Sequence, residues 1–442
     1  MGLIDAPAPP SRLLSLFGAR LLALVSLVAY FAIVAVLGGH EKGWRRIGVP
    51  AAKYRFADLR NLTSSWECTR RGISVLPTNP CDLGHRPADF PQIWLLLSHL
   101  GLGPGDTFAL GIAQGALFLI AALLVVGRGE NLKTGALYSL VLCSPAVMLG
   151  VERGNPDLVL FPIVVAGVLA ATRSARGEIV AGALVLFAGI LKLYPILALV
   201  FLVRRATRAA LLVSLSVAVV FVVYCLATFG YLHRMLGAIP PSDSFSYGVR
   251  RASEWFGIAA LNALHTLDWY RAWDAGIVCA ALAAGWSLSR RRRPDLLAFS
   301  NAGAANRELD LFWVGACIYV GSYAVFRSND YRLIFSLLTV PQLARWAQQR
   351  DRLAGLTILA LLVITWLDEW TGMPGVRVVL SWWNQTTAIG SGSFPLPIVV
   401  IAQWVVCTTF IAWLLATAPP VFGSLHRRGR KAVVSTPFNL AS

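Results

Sequence analysis

Long apolar runs constrain this chain more than any other feature of its sequence. A bilayer core of about 30 Å requires roughly 20 consecutive apolar residues in a helix. Runs of about that length lie at 13–38, 107–127, 134–151, 157–172, 206–229, 271–289, 309–326, 331–346, 353–370 and 395–417. A further run covers 179–203. This pattern predicts an all-α polytopic membrane protein, a bundle of about 10–12 transmembrane helices.

The composition agrees with a membrane protein and argues against nucleic-acid binding. Hydrophobic residues make up 57% of the 442 residues and charged residues 14%, whereas soluble domains carry about 25% charged residues. The net charge of +17 comes largely from basic residues in short loops, and such loops orient a membrane protein with their positive residues inside. We therefore expect membrane lipids around the chain and no nucleic-acid partner.

The basic loops predict the orientation of the chain. With the amino terminus in the cytoplasm, the short basic segments fall inside; they are 128–133, 173–178, 204–208, 290–293, 345–352 and 427–431. This holds only if the run 179–203 enters the membrane and returns as a broken or re-entrant helix pair with Lys192 at its outer tip. A single span there would place the 204–208 cluster outside.

The same orientation predicts the domain organisation. An integral membrane domain covers 1–418, and a basic, disordered cytoplasmic tail covers 419–442. Both termini are expected in the cytoplasm of a bacterial cell, and a long loop, 39–106, is expected outside the plasma membrane. The oligomeric state is left open.

Asp58 is the acidic residue of interest in the outer loop. A carboxylate at the membrane surface among aromatic residues can be desolvated and tuned as a general base. From the residues alone, an ordinary loop aspartate paired with Arg55 or Arg60 is the simpler interpretation.

Two cysteines of the same loop, Cys68 and Cys81, are candidates for a disulfide bond. They would pair if the loop faces an oxidising compartment. Because sequence does not supply their geometry, both the bonded and the free state stay open.

The segment 152–157 places charged residues between two apolar runs. Asn155 fits the N-cap of the following helix, and Asp157 adds a favourable negative charge to its first turn. This structural interpretation does not explain Glu152 and Arg153, which end the preceding helix. They pair with each other, or Arg153 faces a substrate.

Lys192 stands beside a helix break. Tyr194 precedes a proline and is therefore biased away from helical geometry, while Pro195 suits the first turn of a new helix. Snorkelling would explain the lysine but not the break beside it. A phosphate-binding role explains both.

A third charged turn contains Arg327 and Asp330, for which helix caps and interface anchors are an alternative explanation. Helices that begin near Asn155, Pro195 and Asn329 would all direct their free backbone N–H groups outward. With Arg153, Lys192 and Arg327 nearby, this arrangement predicts a phosphate ligand at the membrane surface. No metal-ligand spacing, P-loop, dinucleotide fingerprint or nucleophile elbow occurs in the sequence.

The motifs resemble glycosyltransferase family 87. The resemblance is clearest over 145–210; it rests on Glu152 to Leu158, the basic turn 173–176, Ala181-Gly182, Lys192 to Pro195 and Arg204-Arg205. That family contains bacterial mannosyltransferases of the GT-C superclass, which use a polyprenyl-phosphate sugar as donor.

The resemblance implies a GT-C-like bundle with an extracytoplasmic active site and a catalytic acid in the first outer loop, where Asp58 is the matching position. It implies inverting transfer of a sugar, mannose above others, from a polyprenyl phosphate to a glycolipid or glycan acceptor. The donor phosphate would be bound by Lys192, Arg153 and Arg327. The residues Glu152, Asn155, Asp157, Tyr194 and Asp330 would bind substrate or support the site.

One departure from the superclass concerns metal ions. Asp58 is followed by Leu59 and Arg60 rather than by a second acidic residue. Because the paired-acid pattern of some relatives goes with a divalent metal, its absence here favours a metal-independent enzyme without a cofactor.

A secondary transporter, or a lipid or glycolipid flippase, is the alternative function. Broken helices and intramembrane charges occur in transporters too. Transporters, however, bind substrate near the bilayer midplane, whereas the charged residues of this chain are predicted at one surface.

Overall fold

A computed structural model describes residues 12–127, 130–239, 246–250, 252–253, 267–300, 306–325, 328–370 and 397–419. These residues are mostly helical. The predicted tail 419–442 lies outside them except for its first residue, and so does Arg327.

The α-helices, in chain order, are α1 (Arg12–Val36), α2 (Gly39–Arg46), α3 (Ala57–Arg70), α4 (Thr107–Val125), α5 (Leu132–Leu142), α6 (Pro145–Arg153), α7 (Asp157–Ala171), α8 (Ala175–Leu191), α9 (Val200–Arg205), α10 (Arg208–Ala227), α11 (Phe229–Ala238), α12 (Leu267–Ser300), α13 (Arg307–Ala324), α14 (Val340–Gln348), α15 (Arg352–Trp370) and α16 (Pro397–Ala416). Short 3-10 helices cover Gln92–Leu100, Pro104–Asp106, Tyr194–Leu199 and Asp330–Leu338. Two short strands, β1 (Ser246–Tyr247) and β2 (Ser328–Asn329), pair antiparallel, with Ser246 opposite Asn329.

Five segments in the described ranges are long and apolar enough to cross a membrane. They lie in α1, α4, α10, α12 and α16, and the α5–α6 pair makes a sixth if it is counted as one bent span. The chain is thus an all-α, multi-pass membrane protein, as predicted.

The run predicted over 134–151 is not one straight helix. It is divided at Cys143 and Ser144 into α5 and α6, which are bent by 53°. Pro145 explains the break, because a proline cannot donate a helical hydrogen bond and pushes the preceding residue towards extended geometry. Ser144 has that geometry, with φ −70° and ψ 150°.

Other predicted spans form helices that are shorter or more polar than expected. Helix α7 has 15 residues and contains Pro162. Helix α13 carries Glu308 and Asp310 in its first turn. The run 331–346 is divided between a 3-10 helix and α14, which has a proline in its first turn. Apolar length alone does not distinguish such helices from full spans.

The run 179–203 forms the predicted broken hairpin. Helix α8 ends at Leu191, and the chain returns through a 3-10 helix and α9. The two ends meet again, because Arg205 Nε lies 3.0 Å from Glu178 Oε1. From Glu178 to the tip, the outward path is about 21 Å at 1.5 Å per residue, and the return path has a similar length.

A buried ion cluster fixes the base of this hairpin. Arg205 Nη1 lies 3.0 Å from Asp310 Oδ2, and Arg204 also pairs with Asp310. The Thr207 hydroxyl donates to Glu178 Oε2 at 2.8 Å. Two arginines and two carboxylates therefore compensate one another and join α8, α9 and α13.

Candidate active site

The start of α3 is fixed against the end of α6, and this contact positions Asp58. The Phe56 backbone N–H donates to the Glu152 carbonyl at 3.2 Å. Its ring packs on Gly154, where an added Cβ would lie 2.9 Å from Phe56 Cβ. Gly154 also has φ +59°, a left-handed conformation that favours glycine. The glycine of the charged segment is therefore required both by the helix end and by the packing of Phe56.

The Asp58 carboxylate has two partners, and neither is a partner considered from the sequence. Asn155 Nδ2 donates to Asp58 Oδ2 at 2.8 Å, and Arg86 Nη1 lies 3.5 Å from Oδ1. Arg55 and Arg60 instead lie against the rings of Phe108 and Tyr54. With 20% of its side chain exposed, Asp58 is oriented and still accessible to a substrate.

Arg86 follows a loop that is closed by a disulfide bond. Cys68 and Cys81 are bonded, with their Cα atoms 5.8 Å apart. Asp82 comes directly after Cys81 and accepts from Arg86 Nε at 3.0 Å. Burial opposes ionisation of Asp82, but the hydrogen bonds and charge of Arg86 outweigh it, so the pKa of Asp82 lies below its usual range. Asp82 thereby fixes the guanidinium that faces Asp58.

Asp89 is a second carboxylate near Asp58, and sequence reasoning missed it. Its side chain is exposed, yet desolvation by the surrounding protein, followed by the negative charge of Asp58, raises the pKa of its carboxyl. Asp89 therefore lies close enough to Asp58 for the two charges to interact. An acidic residue between the buried residues Ala88 and Phe90 was the available signal.

Asn155 connects Asp58 with Lys192. Its Oδ1 accepts from Lys192 Nζ at 3.2 Å and from the Asp157 backbone N–H at 3.1 Å, while its Nδ2 donates to Asp58. Lys192 Nζ also forms an ion pair of 2.6 Å with Asp157 Oδ1. The cap role predicted for Asn155 is present, and the same side chain connects two predicted site residues.

Glu152 and Arg153 have a different set of contacts. Glu152 Oε1 accepts from the Ala52 backbone N–H at 2.9 Å, and Arg153 Nε lies 3.3 Å from Glu152 Oε2. Arg153 Nη2 donates to the Pro50 carbonyl at 3.2 Å. These two residues pair with each other, one of the two options left open by the sequence, and anchor the segment that leads to α3.

Three helix starts meet beside Lys192, as predicted, but two of them are 3-10 helices rather than α-helices. They are the starts of α7, of the helix at Tyr194 and of the helix at Asp330. Lys192 Nζ lies 5.8 Å from the Tyr194 ring centre and 5.2 Å from that of Tyr331. Asp330 itself is buried. Arg327, the predicted cation of this turn, lies outside the described residues.

Arg332 is the cation that the structure shows beside Tyr194, at the start of the helix at Asp330. Its guanidinium carbon lies 4.7 Å from the Tyr194 ring centre, and Nη1 donates to Ser328 Oγ at 2.8 Å. Burial, followed by the charges of Asp58 and Asp89, raises the pKa of the Tyr331 hydroxyl, which places this tyrosine near both carboxylates. We use "polar recess" for Asp58, Asp89, Lys192, Tyr194, Tyr331 and Arg332.

A separate groove of about 420 Å³ lies between α1, α2 and α4 and is lined mainly by apolar residues. Phe56, Glu152 and His40 form part of its wall. Desolvation, followed by the charge of Arg55, lowers the pKa of His40. Asp58, Lys192 and Arg332, the carboxylate and cations that could act in a reaction, lie in the polar recess and not in this groove. In the described parts of the chain, no group of three or more His, Cys, Asp or Glu side chains is arranged to bind a metal ion.

Comparisons with known proteins show what this chain is similar to. A search of the curated proteins found no match. Among solved structures, the crystal structure of ArnT from Cupriavidus metallidurans in the apo state is similar at 14% identity and a TM-score of 0.35, covering 91% of this chain and 79% of that chain. Residues 91–307 match the family model of glycosyltransferase family 87. This match confirms the resemblance found in the motifs: residues 91–307 of this membrane protein are similar to glycosyltransferase family 87.

Proposed function

We propose that this protein transfers a sugar, with mannose as the first candidate, from a polyprenyl-phosphate donor to a lipid or glycan acceptor. The transfer takes place at the extracytoplasmic face and inverts the configuration of the anomeric carbon. The single observation that carries this proposal is the network Asp58–Asn155–Lys192. In this network an oriented carboxylate lies one side chain away from a lysine. Asn155 and Lys192 lie within the family match over 91–307, and Asp58 lies outside it.

The proposed reaction uses Asp58 as the general base. The carboxylate accepts the proton of an acceptor hydroxyl while that oxygen attacks the anomeric carbon from the face opposite the phosphate. The bond between this carbon and the phosphate oxygen breaks, and the phosphate takes the electron pair. The products are the glycosylated acceptor and a polyprenyl phosphate with one additional negative charge, and Asp58 later releases its proton to water.

The polar recess supports this assignment electrostatically. The leaving phosphate gains negative charge in the transition state, and cations aimed at that charge lower the barrier. Lys192 and Arg332 lie on the tyrosines that line the recess. A stable phosphate anion needs no general acid, so a single carboxylate at Asp58 suffices for this chemistry.

Sugar transfer by purified protein in nanodiscs tests the proposal. Radiolabelled polyprenyl-phosphate mannose and a membrane-lipid extract would be supplied to the wild type, to Asp58→Asn and to Glu67→Gln. Glu67 is a matched control, since it lies on the same helix and pairs only with Arg71 at 3.6 Å. We expect transfer by the wild type and by Glu67→Gln.

Asp58→Asn should bind donor normally and lose about 10²- to 10⁴-fold in turnover. Equal transfer by Asp58→Asn would remove Asp58 from the mechanism. If the wild type does not bind the donor, the proposal that a polyprenyl-phosphate sugar is the donor is wrong.

A further inference from the structure

Lys192 and Arg332 contact the tyrosines of the polar recess, and among the described residues only Lys192 has a carboxylate at ion-pair distance. Lys192 is paired with Asp157, at 2.6 Å. Arg332 has the Ser328 hydroxyl and the face of Tyr194 as its contacts, and it forms no ion pair with any carboxylate of the described chain. Its Nε is a buried atom without a hydrogen-bond partner.

These contacts give the two cations different electrostatic roles. The charge of Lys192 is already compensated by Asp157, which is fully buried. The half-buried Arg332 has no carboxylate at ion-pair distance among the described residues; it interacts with the Asp157 charge without pairing with it. A partly buried charge that lacks a direct partner is costly. A planar guanidinium also matches two oxygens of a phosphate at once, whereas an ammonium acts as a point charge. Arg332 is therefore the cation of the recess that is free to pair directly with an anionic ligand.

The contacts of Lys192 indicate a positioning role instead. An ammonium group can only donate, so it selects the Oδ1 side of Asn155. The amide nitrogen of Asn155 must then face Asp58, to which it donates at 2.8 Å. The chain Asp157–Lys192–Asn155 thus fixes the orientation of the Asp58 carboxylate.

We propose that Arg332 is the residue that binds the donor phosphate and stabilises the charge of the leaving group, and that Lys192 positions Asp58 through Asn155. This inference rests on the proposed function, because it assigns residues to the phosphate of the same donor. It replaces Lys192 with Arg332 as the main phosphate ligand.

Phosphate-specific binding tests the assignment without relying on turnover. The probes are farnesyl phosphate and farnesol, which share the isoprenoid chain and differ in the phosphate. The measurement is the increase in melting temperature of the full-length protein in detergent. The wild type and Asp58→Asn should both be stabilised more by farnesyl phosphate than by farnesol.

Arg332→Gln should lose this difference, and its kcat/KM for the donor should fall about 10²-fold. Arg332→Lys keeps the positive charge, so it should retain part of the phosphate-specific stabilisation and part of the kcat/KM for the donor. Arg234→Gln is a control, because this exposed arginine contacts only the Gly230 carbonyl in its own helix. Lys192→Gln should melt at a lower temperature without ligand and keep the phosphate-specific increase.

Three outcomes would contradict these expectations, and they are distinguishable. An increase in Arg332→Gln equal to that of the wild type would overturn the role of Arg332 and leave the proposed function standing. If Lys192→Gln loses the phosphate-specific increase in melting temperature and Arg332→Gln keeps it, Lys192 is the phosphate-binding residue. A wild type that does not distinguish farnesyl phosphate from farnesol would overturn the donor class and this inference with it.

Discussion

At the scale of single residues, Asn155 shows how one side chain can serve structure and chemistry together. Its carbonyl oxygen accepts from the backbone at the start of α7 and from Lys192, while its amide nitrogen orients Asp58. The sequence predicted the cap from local rules alone. The second role depends on Asp58, which is far away in the chain, and so no local pattern could indicate it.

The Lys192–Asp157 pair gives a first prediction about stability. Lys192→Met should lower the free energy of unfolding by about 3–5 kcal/mol, because Asp157 would remain as a buried charge without its partner. Combining it with Asp157→Leu should restore most of that loss. Thermal unfolding of the single and double variants in detergent measures this, and strictly additive effects would show that the two side chains do not interact.

The same residues show the limits of sequence reasoning about the site. Asn155, Asp157, Lys192 and Tyr194 stand out in the sequence as polar residues beside apolar runs, whereas the role of Asp58 was predicted only through the family resemblance. Arg332 was missed since it lies inside an apolar run that was read as a span. Arg86 and Asp89 were missed because they lie in the irregular segment that follows Cys81, and the path of an irregular segment is not indicated by periodicity.

At the scale of elements, the close packing of α7 on α8 places the charged segment beside the hairpin tip. Gly177 permits this approach, since a Cβ there would lie 1.9 Å from the Ala170 carbonyl oxygen. A backbone atom at that distance cannot move aside without displacing the whole end of α7. The close contact between α7 and α8 therefore depends on the absence of a side chain at Gly177.

We expect Gly177→Ala to separate α7 from α8 and to destabilise the protein by about 3 kcal/mol. Gly276→Ala is the matched control, because it lies in α12 with no atom within 4 Å of its added Cβ; it should be neutral or slightly stabilising. Melting temperatures and yields of folded protein in detergent compare the two. Equal stability of both variants would show that the α7–α8 contact tolerates a methyl group.

The sequence predicted which elements are helical better than where they break. Charge placement indicated the hairpin at 179–203, since only a return path put the arginines of 204–208 inside. Pro145 likewise indicated a break between α5 and α6, but the run around it is continuously apolar and was therefore predicted to be one span. A continuous apolar run predicts that a segment lies in the membrane, whereas prolines and charged residues predict where its helix breaks or turns back.

At the scale of the whole molecule, orientation in the membrane decides where the polar recess operates. The positive-inside rule predicts that the 173–178 turn lies in the cytoplasm and the loop 39–106 outside. The Cys68–Cys81 bond agrees with an oxidising compartment for that loop. These are two independent physical arguments for an extracytoplasmic site.

Labelling of introduced cysteines tests this orientation. Leu83 and Arg173 are both exposed, and each would be replaced by cysteine in turn. A membrane-impermeant maleimide should label Leu83→Cys in intact cells and Arg173→Cys only after permeabilisation, with the unsubstituted protein as the background control. The reverse pattern would invert the orientation and place the recess in the cytoplasm.

The ion pair between Asp157 and Lys192 also bears on how the chain is made. The two residues belong to consecutive segments, α7 and the tip that follows α8, and they form a pair of no net charge. A segment that enters the bilayer with an isolated charge is penalised. If α7 and α8 leave the translocon together, their charges already compensate each other during synthesis. The order of residues along the chain thus makes α7 and α8 easier to insert together than either helix alone.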